Sequence, residues 1–529
     1  MLFAELIKSP EHIHTYRVTD ISLWNAAASG VPEERILHSL EEFSKYDIPP
    51  HIKHEIHDTL SRYGILKLCP YPDDSTRLKL MSDDSFAFAE ISHHRKLAPH
   101  ILDKNELERT VVIRREDRGT IKQILADIGF PVEDLVGFIQ GEPLPMALRS
   151  TGSLSEKPFG LRDYQEEASQ IFWKAGSLGG GSGVIVLPCG AGKTIVGMRV
   201  MDLVQEKTLI ITTNITAARQ WIREILDKTT LEEKDIGEYS GDRKDVRPVT
   251  IATYQILTYR KSKTDPFLHM ALFDEAKWGL IIYDEVHLLP APVFRATASI
   301  QSTRRLGLTA TLVREDGREK DVFSLIGPKR YDTPWKELEK KRWIATGRCI
   351  EIRIELPESQ RLDYAVSGSR KQFQIAAQNP RKISIAQTLI GRHPGESILV
   401  IGHYLQQLRN LSAHLGAPLI IGTTPQSARD DLYDRFRRGD IKVLVVSNVA
   451  NFAIDLPDAS VAIQVSGTYG SRQEEAQRLG RILRPKEQNF TFYTLVSHGT
   501  AEQDFAMNRQ LFLTEQGYEY AIEDWDVSP

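Results

Sequence analysis

The chain has 529 residues, 41% hydrophobic and 26% charged, with a formal net charge of −4. That balance is ordinary for a globular protein and suggests neither disorder nor a membrane class, and no apolar run approaches the ~20 residues that a bilayer span needs. A slightly acidic whole leaves a nucleic-acid partner open, because a local basic groove suffices to engage phosphates.

This length accommodates about three or four domains. Cys69, Cys189 and Cys349 are scattered and odd in number, which fits a reducing cytosol and excludes a Cys-rich zinc site. Met1 to Lys8 carries an acid within its apolar run and no basic leader, unlike a secretory signal.

Residues 1–72 read as a small helical unit. Asp20 to Ala28 is helical until Gly30 and Pro32, and Ile36, Leu37, Leu40 and Phe43 recur at helical spacing within Glu33 to Tyr46. Ile48-Pro-Pro50 stops that helix, and His54 to Tyr63 forms another before the strand-like Gly64 to Leu68. Helix, turn, helix and strand in that order suit a winged-helix module or a plain packing domain. Residues 73–152 form a second α+β unit. Phe86 to Ile91 and Thr110 to Arg114 read as strands, and Arg118 to Asp127 as a helix stopped by Gly129 and Pro131. His93 to Lys96 and Arg114-Arg115 offer phosphate contacts or simply solvated surface. The polar, turn-rich Thr151 to Pro158 marks a boundary.

Beyond it, strands and helices alternate, the signature of α/β architecture. One series of apolar strands comprises Gly183 to Leu187, Thr208 to Thr212, Val249 to Ala252, Gly279 to Tyr283 and Arg305 to Leu308. A second comprises Ser397 to Ile401, Pro418 to Ile421, Lys442 to Val446 and Val461 to Val465. Two series imply two doubly wound parallel sheets, one over 153–345 and one over 346–529.

Leu187-Pro-Cys-Gly-Ala-Gly-Lys-Thr194 lies between a strand and a helix, as a phosphate-binding loop does. Gly190 and Gly192 allow a tight turn whose N–H groups, with the helix N-terminus, face phosphate oxygens. Lys193 would reach the β/γ-phosphates of ATP, and the Thr194 hydroxyl would bind Mg²⁺. Leu187 stands where the full pattern has Gly. Downstream, an apolar strand ends in Asp284-Glu-Val-His287, whose adjacent acids divide the work: Asp284 for Mg²⁺, Glu285 for the attacking water. Thr309-Ala-Thr311 would sense the γ-phosphate, and Arg162, Tyr164 and Gln165 suit an adenine face and edge. Arg478, Arg481 and Arg484 fall at i, i+3 and i+6 of an expected helix, from which a guanidinium can stabilise a transferring phosphoryl group. Taken singly, these stretches also fit a Gly-rich turn, two surface acids and a solvated basic helix.

Together, Gly-x-Gly-Lys-Thr, Asp-Glu-x-His, Thr-Ala-Thr and Gln-Arg-x-Gly-Arg-x-x-Arg resemble a superfamily 2 helicase, and Leu187–Thr194, Leu306–Asp316 and Gly470–Pro485 resemble the XPB family of DNA helicases. The resemblance implies two RecA-like lobes with ATP and Mg²⁺ between them. Ala191, Asp455 and Gln477 then join the nucleotide site, Arg481 and Arg484 act in catalysis, and His287, Thr309 and Thr311 couple it to DNA. It also implies a duplex-opening element at Arg314-Glu315-Asp316, a thumb-like insertion at 360–382, and a DNA-distortion domain containing Arg118 to Gln123. Leu187 is the family's own residue. Ala450, Asn451 and Phe452 depart from its usual Gly-Asp-Thr-Ser, in a stretch that couples DNA grip to ATP turnover.

The expected activity is an ATP-dependent 3′→5′ DNA helicase or translocase in repair or transcription, acting on duplex, single-stranded or forked DNA. An RNA helicase and a nucleotide-regulated DNA-binding scaffold are the alternatives. A prokaryotic cytoplasm, a monomer, no membrane contact and a nuclease or repair/transcription partner complete the expectation. The tail with Tyr518, Tyr520, Glu523, Asp524 and Trp525 reads as a docking site or a last packed helix.

Overall fold

The computed structural model describes residues 3–8, 15–72, 74–177, 179–188, 190–262, 265, 267–301, 303–310, 318–333, 338, 341, 347–447, 459–466, 490–504, 506 and 519–525. The chain divides into two compact units, principally Arg17–Leu187 with Gly192–Thr333, and Pro334–Pro529.

In the first unit, the N-terminal helices span Asp20–Ala28, Glu33–Phe43 and Pro50–Ser61. The Thr19 hydroxyl caps the first by accepting from Ser22 N–H at 3.2 Å. The third starts four residues earlier than its apolar spacing suggests, because Pro50 at the first helical position is already set for helix. Leu23, Ala26, Ile36, Ile56 and Leu60 form their shared core. The strand that follows, Leu66–Pro70, pairs with Arg77–Ser82 and Val132–Asp134. It thereby belongs to a five-stranded sheet ordered Ile101–Asn105, Thr110–Arg114, Arg77–Ser82, Leu66–Pro70, Val132–Asp134.

The strand expected at Phe86 to Ile91 is a helix, Ser85–His93. Asp84 accepts from Ala87 N–H at 2.7 Å and starts it. Ala87, Phe88 and Ile91 then face the core while Phe86 stays 85% exposed, a helical rather than an alternating pattern. Arg118–Asp127 is helical as read. Gly119 brings it against Ala291–Ser299, for a Cβ there would lie 2.3 Å from the Ala298 carbonyl oxygen. The same joint carries buried charge. Arg118 grips Asp134 through Nε at 3.0 Å and Nη2 at 2.8 Å, and Lys122 Nζ reaches Asp134 at 2.9 Å and Gln301 Oε1 at 3.0 Å.

The large sheet of this unit is parallel throughout, ordered Ile236–Tyr239, Val249–Thr253, Thr208–Thr212, Leu280–Asp284, Arg304–Thr309, Ser182–Val186, Lys329–Asp332. The two edge strands, Ile236–Tyr239 and Lys329–Asp332, carry shorter and more polar sequences than the central ones and were not legible from apolar runs.

The second unit repeats the plan: Leu419–Ile420, Val443–Ser447, Ile398–Gly402, Val461–Gln464, Phe490–Ser497, Gly347–Ile354 and Glu519–Asp524, all parallel. Of the two readings of the tail, a docking site or a last packed helix, the helix is therefore corrected to a strand. Glu519–Asp524 pairs with Gly347–Ile354, Tyr520 OH donates to Glu351 at 2.7 Å, and Arg392 stacks 5.0 Å from the Trp525 ring. In the stretch read as a thumb-like insertion lie helices Glu358–Val366 and Ser369–Ala377. Among the described residues no helix is long and apolar enough to cross a membrane.

One buried ion pair ties this unit together. Lys382, fully buried, donates to both Glu502 oxygens at 2.8 and 2.7 Å and to the Val465 carbonyl at 3.1 Å. Lys382→Met leaves Glu502 charged and uncompensated in the core. We expect it to destabilise the second unit by about 3–5 kcal/mol in denaturant titrations, and a loss below about 1 kcal/mol would contradict this reading.

Candidate active site

Three neighbouring strands end at one level. Val186 pairs with Thr309, and Leu308 pairs with Asp284. The residues that follow each strand therefore emerge side by side at the C-terminal edge of the sheet, where open parallel sheets bind ligands. The next strand in sequence after Ser182–Val186 is Thr208–Thr212, on the far side of two intervening strands. That reversal leaves the crevice open above the phosphate loop.

The loop itself is built for close approach. Leu187 N–H donates to the Thr309 carbonyl at 2.9 Å, and its side chain is fully buried. Gly190 and Gly192 take left-handed φ of 78° and 81°. Gly192 caps helix Lys193–Val204, so the first helical N–H groups face the crevice. A Cβ on Gly192 would lie 2.5 Å from Gln165 Nε2, so the glutamine amide reaches the loop only because position 192 has no side chain. Gln165 is held in turn, its Oε1 accepting from Arg162 N–H at 3.0 Å, and Arg162 Nη1 donates to Tyr164 OH at 3.3 Å.

Lys193 Nζ lies 2.6 Å from Glu285 Oε1, both mostly buried. His287 Nδ1 is 3.4 Å from the other Glu285 oxygen and 2.7 Å from Thr309 Oγ1. A continuous polar chain thus runs from the phosphate loop through Glu285 and His287 to Thr309. Glu285 sits at φ 53°, a left-handed conformation that costs a non-Gly residue about 1–3 kcal/mol and is found at functional sites. Asp284, beside it, accepts from Trp221 Nε1 at 3.0 Å. Gly197 makes that contact possible, since a Cβ there would lie 2.5 Å from the Trp221 ring. The Asp284 carbonyl accepts from Tyr254 OH at 3.1 Å.

The two acids are electrostatically unlike. Burial and the Glu285 charge push the Asp284 carboxyl above its ordinary range, against Lys193 and the Trp221 indole. Burial also opposes the Glu285 charge, but Lys193, His287 and the Ala310 amide outweigh it and hold Glu285 below its ordinary range. A cation placed at Asp284 would relieve its difficulty in ionising. Glu285 Oε2 is buried and makes no hydrogen bond among the described residues, so it has a free acceptor for water. The loop N–H groups, Lys193, Thr194 and these carboxylates fit a nucleotide with its Mg²⁺.

Of the residues singled out from sequence, Arg162, Gln165, Gly190, Ala191, Gly192, Lys193, Thr194, Asp284, Glu285, His287 and Thr309 are described, and the contacts above join most of them in one site. Cys189, Thr311, Arg314, Glu315, Asp316, Ala450, Asn451, Phe452, Asp455, Gln477, Arg478, Arg481 and Arg484 lie outside the described residues. Trp221 and Tyr254 escaped the sequence reading. A Trp on an apolar helix face reads as core, and only the packed fold shows its N–H aimed at Asp284.

Three families match along the chain: the ERCC3/RAD25/XPB C-terminal helicase over residues 338–525, the res subunit of type III restriction enzymes over 158–314, and a helicase conserved C-terminal domain over 1–106. The DNA 3′-5′ helicase XPB of Mycobacterium tuberculosis is 52% identical over 526 residues, spanning 99% of this chain and 93% of that protein. In Saccharomyces cerevisiae, the general transcription and DNA repair factor IIH helicase/translocase subunit XPB/SSL2 is 31% identical over 98% of this chain and 68% of that protein. The ATP-dependent type ISP restriction-modification enzyme LlaBIII, solved bound to DNA, shares the fold at a TM-score of 0.52 and 13% identity, over 71% of this chain and 32% of that one. The match over nearly the full length of both chains, together with the phosphate loop and acid pair at one sheet edge, decides the family: the chain belongs to the XPB helicases.

Proposed function

We propose that the protein is an ATP-dependent DNA helicase or translocase moving 3′→5′. The observation that carries this reading is the chain Lys193–Glu285–His287–Thr309, with every link at 3.4 Å or less. The polymer and polarity rest on the relative named DNA 3′-5′ helicase XPB. Lobe 1 spans 153–345 and lobe 2 spans 346–529, each holding one parallel sheet, preceded by two small units. The expected boundary between those units at 72/73 moves back to the start of strand Leu66–Pro70, because that strand pairs within the second unit's sheet. DNA repair or transcription is the setting that the yeast relative's name supports, with a partner protein from such an assembly.

In the structure described, Lys193 neutralises Glu285. When ATP enters, Lys193 turns to the β/γ-phosphates and releases Glu285 Oε1, so the carboxylate that orients the attacking water is set free only when fuel is present. Thr194 and Asp284 would hold Mg²⁺, which would supply charge neutralisation for the nucleotide's phosphates. The indole N–H of Trp221 fixes the rotamer of Asp284. His287 passes the state of Glu285 to Thr309, and from there to Thr311 and the Arg314-Glu315-Asp316 element. Arg162 and Gln165 read adenine, and the family resemblance gives Arg481 and Arg484 a catalytic role and Gln477 and Asp455 a nucleotide-binding one.

DNA should stimulate ATP hydrolysis, and forked DNA with a 3′ tail should be opened. Equal turnover with and without DNA, or greater stimulation by RNA, would sink the assignment. Lys193→Ala should remove turnover. Glu285→Gln should keep nucleotide affinity and lose roughly 10²–10⁴-fold in kcat; measuring affinity and rate separately distinguishes the two. Trp221→Phe keeps the packing but removes one hydrogen bond to a carboxylate, worth about 1.5–3 kcal/mol. A fall of about tenfold or more in turnover is expected, with more Mg²⁺ needed for half-maximal rate; an unchanged Mg²⁺ requirement speaks against the Trp221 role. Arg481→Ala should leave ATP binding intact and lower kcat roughly 10³-fold, whereas a loss confined to KM would remove it from catalysis.

A further inference from the structure

A cavity of about 120 Å³ opens in the first unit where the N-terminal helices, the five-stranded sheet and the Lys329–Asp332 edge of the large sheet meet. A cavity holding a single water needs only roughly 10–15 Å³. Its charged and phenolic groups are Tyr63, Lys122, Glu133, Asp134, Lys174 and Arg330.

Lys122 and Asp134 are committed to each other at 2.9 Å, and Asp134 is further held by Arg118. Lys174 and Arg330 are not so matched. Arg330 Nε donates to the Ser182 carbonyl at 2.9 Å, but among the described residues no carboxylate pairs with either cation. Burial and then the Arg330 charge pull the Lys174 pKa down, and burial pulls that of Arg330 down. Burial also pushes Tyr63 up to about 12, so its hydroxyl is a neutral donor at physiological pH.

The backbone is arranged to hold these cations in place. Lys174, Ala175 and Gly176 take consecutive left-handed φ of 45°, 51° and 75°. A Cβ on Gly183 would lie 2.5 Å from Arg330 Cγ, so the arginine crosses position 183 only because it is Gly. Two partly desolvated cations repel each other, and an anion between them turns that repulsion into attraction.

We propose that this cavity is a binding site for a small tetrahedral oxyanion of the phosphate class. Lys174 and Arg330 neutralise it, and Tyr63 donates a hydrogen bond. Glu133, which lines the same cavity and whose charge acts on Tyr63, opposes a fully ionised anion but can accept the P–OH of a hydrogen phosphate. The site therefore prefers phosphate to sulfate. Free inorganic phosphate presents this P–OH, and the 5′-terminal phosphate of a DNA strand presents it in its singly protonated form. Because its ligands come from three layers, occupancy pins the N-terminal helices and the small sheet to the edge of the large one.

The test uses the full chain carrying Lys193→Ala, which weakens phosphate binding at the nucleotide loop, so that the Lys174 and Arg330 variants report on the cavity. Its melting temperature is followed in phosphate-free buffer at constant ionic strength as inorganic phosphate or sulfate is added, and with oligonucleotides that have or lack a 5′-phosphate. A saturable rise with phosphate is expected, with half-saturation at least tenfold higher for sulfate. Adding Lys174→Gln or Arg330→Gln should raise the phosphate half-saturation at least tenfold, while Arg330→Lys keeps most of the response. Without phosphate, Lys174→Gln should melt at or above its parent, since one of two repelling charges is gone; this separates lost binding from lost folding. A rise that depends on the oligonucleotide's 5′-phosphate, and on Lys174, assigns the DNA end as the source. The proposal is overturned if neither phosphate form gives a saturable rise, or if the rise survives Lys174→Gln and Arg330→Gln unchanged. Equal half-saturation for sulfate removes the role given to Glu133.

Discussion

The register of three parallel strands governs everything that happens at the site. Because Val186 lies opposite Thr309 and Leu308 opposite Asp284, the phosphate loop, the acid pair and Thr309 leave the sheet at one height. A shift of one residue in either pairing would turn Lys193 and Glu285 away from each other, since alternate strand residues point to opposite faces. Strands buried on both faces resist such a shift, because every residue from Val184 to Val186, and from Leu306 to Thr309, is packed. Precision at the crevice is thus a consequence of the core beneath it.

Buried charge is handled differently in different parts of the molecule. At Lys382–Glu502 and at Arg118–Asp134–Lys122, cations meet carboxylates with full hydrogen bonding, and the result is a rigid joint. There Lys122 is lowered to about 8 by burial, while Arg118 and Lys122 outweigh burial to hold Asp134 below the usual carboxylate range. In the crevice Lys193 and Glu285 pair at 2.6 Å, and under the proposed function that pair is exchanged when phosphate takes the lysine. At Lys174 and Arg330 the cavity holds two cations that no carboxylate pairs with among the described residues, although Glu133 and Asp134 line the same cavity. Rigid joint, exchangeable pair and unmatched cations form a series in which the missing negative charge increasingly has to come from outside.

Much of the fold is legible in the sequence where the signal is local. Most central strands of both sheets are apolar runs, and the helix Arg118–Asp127 is bounded by its own stop signals. The interior strands Gly347–Ile354 and Phe490–Ser497 carry interspersed polar residues and were not read as strands. Phe86 to Ile91 misled because two phenylalanines at alternate positions mimic a strand, whereas the deciding residue, Asp84, lies outside the run and acts as a cap. Glu519–Asp524 misled because its partner strand, Gly347–Ile354, is far away in sequence. A strand at the edge of a sheet takes its identity from the neighbour it bonds to, and no window of its own residues contains that neighbour.

The chemistry divides along the same line. The motifs Gly-x-Gly-Lys-Thr and Asp-Glu-x-His are written in consecutive residues because a loop that wraps phosphate and a strand end that offers two acids are each made by a few adjacent backbone units. The sequence alone therefore marked out the candidate groups for a nucleotide, and the length and spacing of the motifs pointed to the family. That Lys193 rests on Glu285, that Trp221 steadies Asp284 and that Lys174 and Arg330 share a cavity were decided only by tertiary structure. These contacts join residues 63 to 156 positions apart, and packing of strands and helices, rather than any local pattern, brings them within reach.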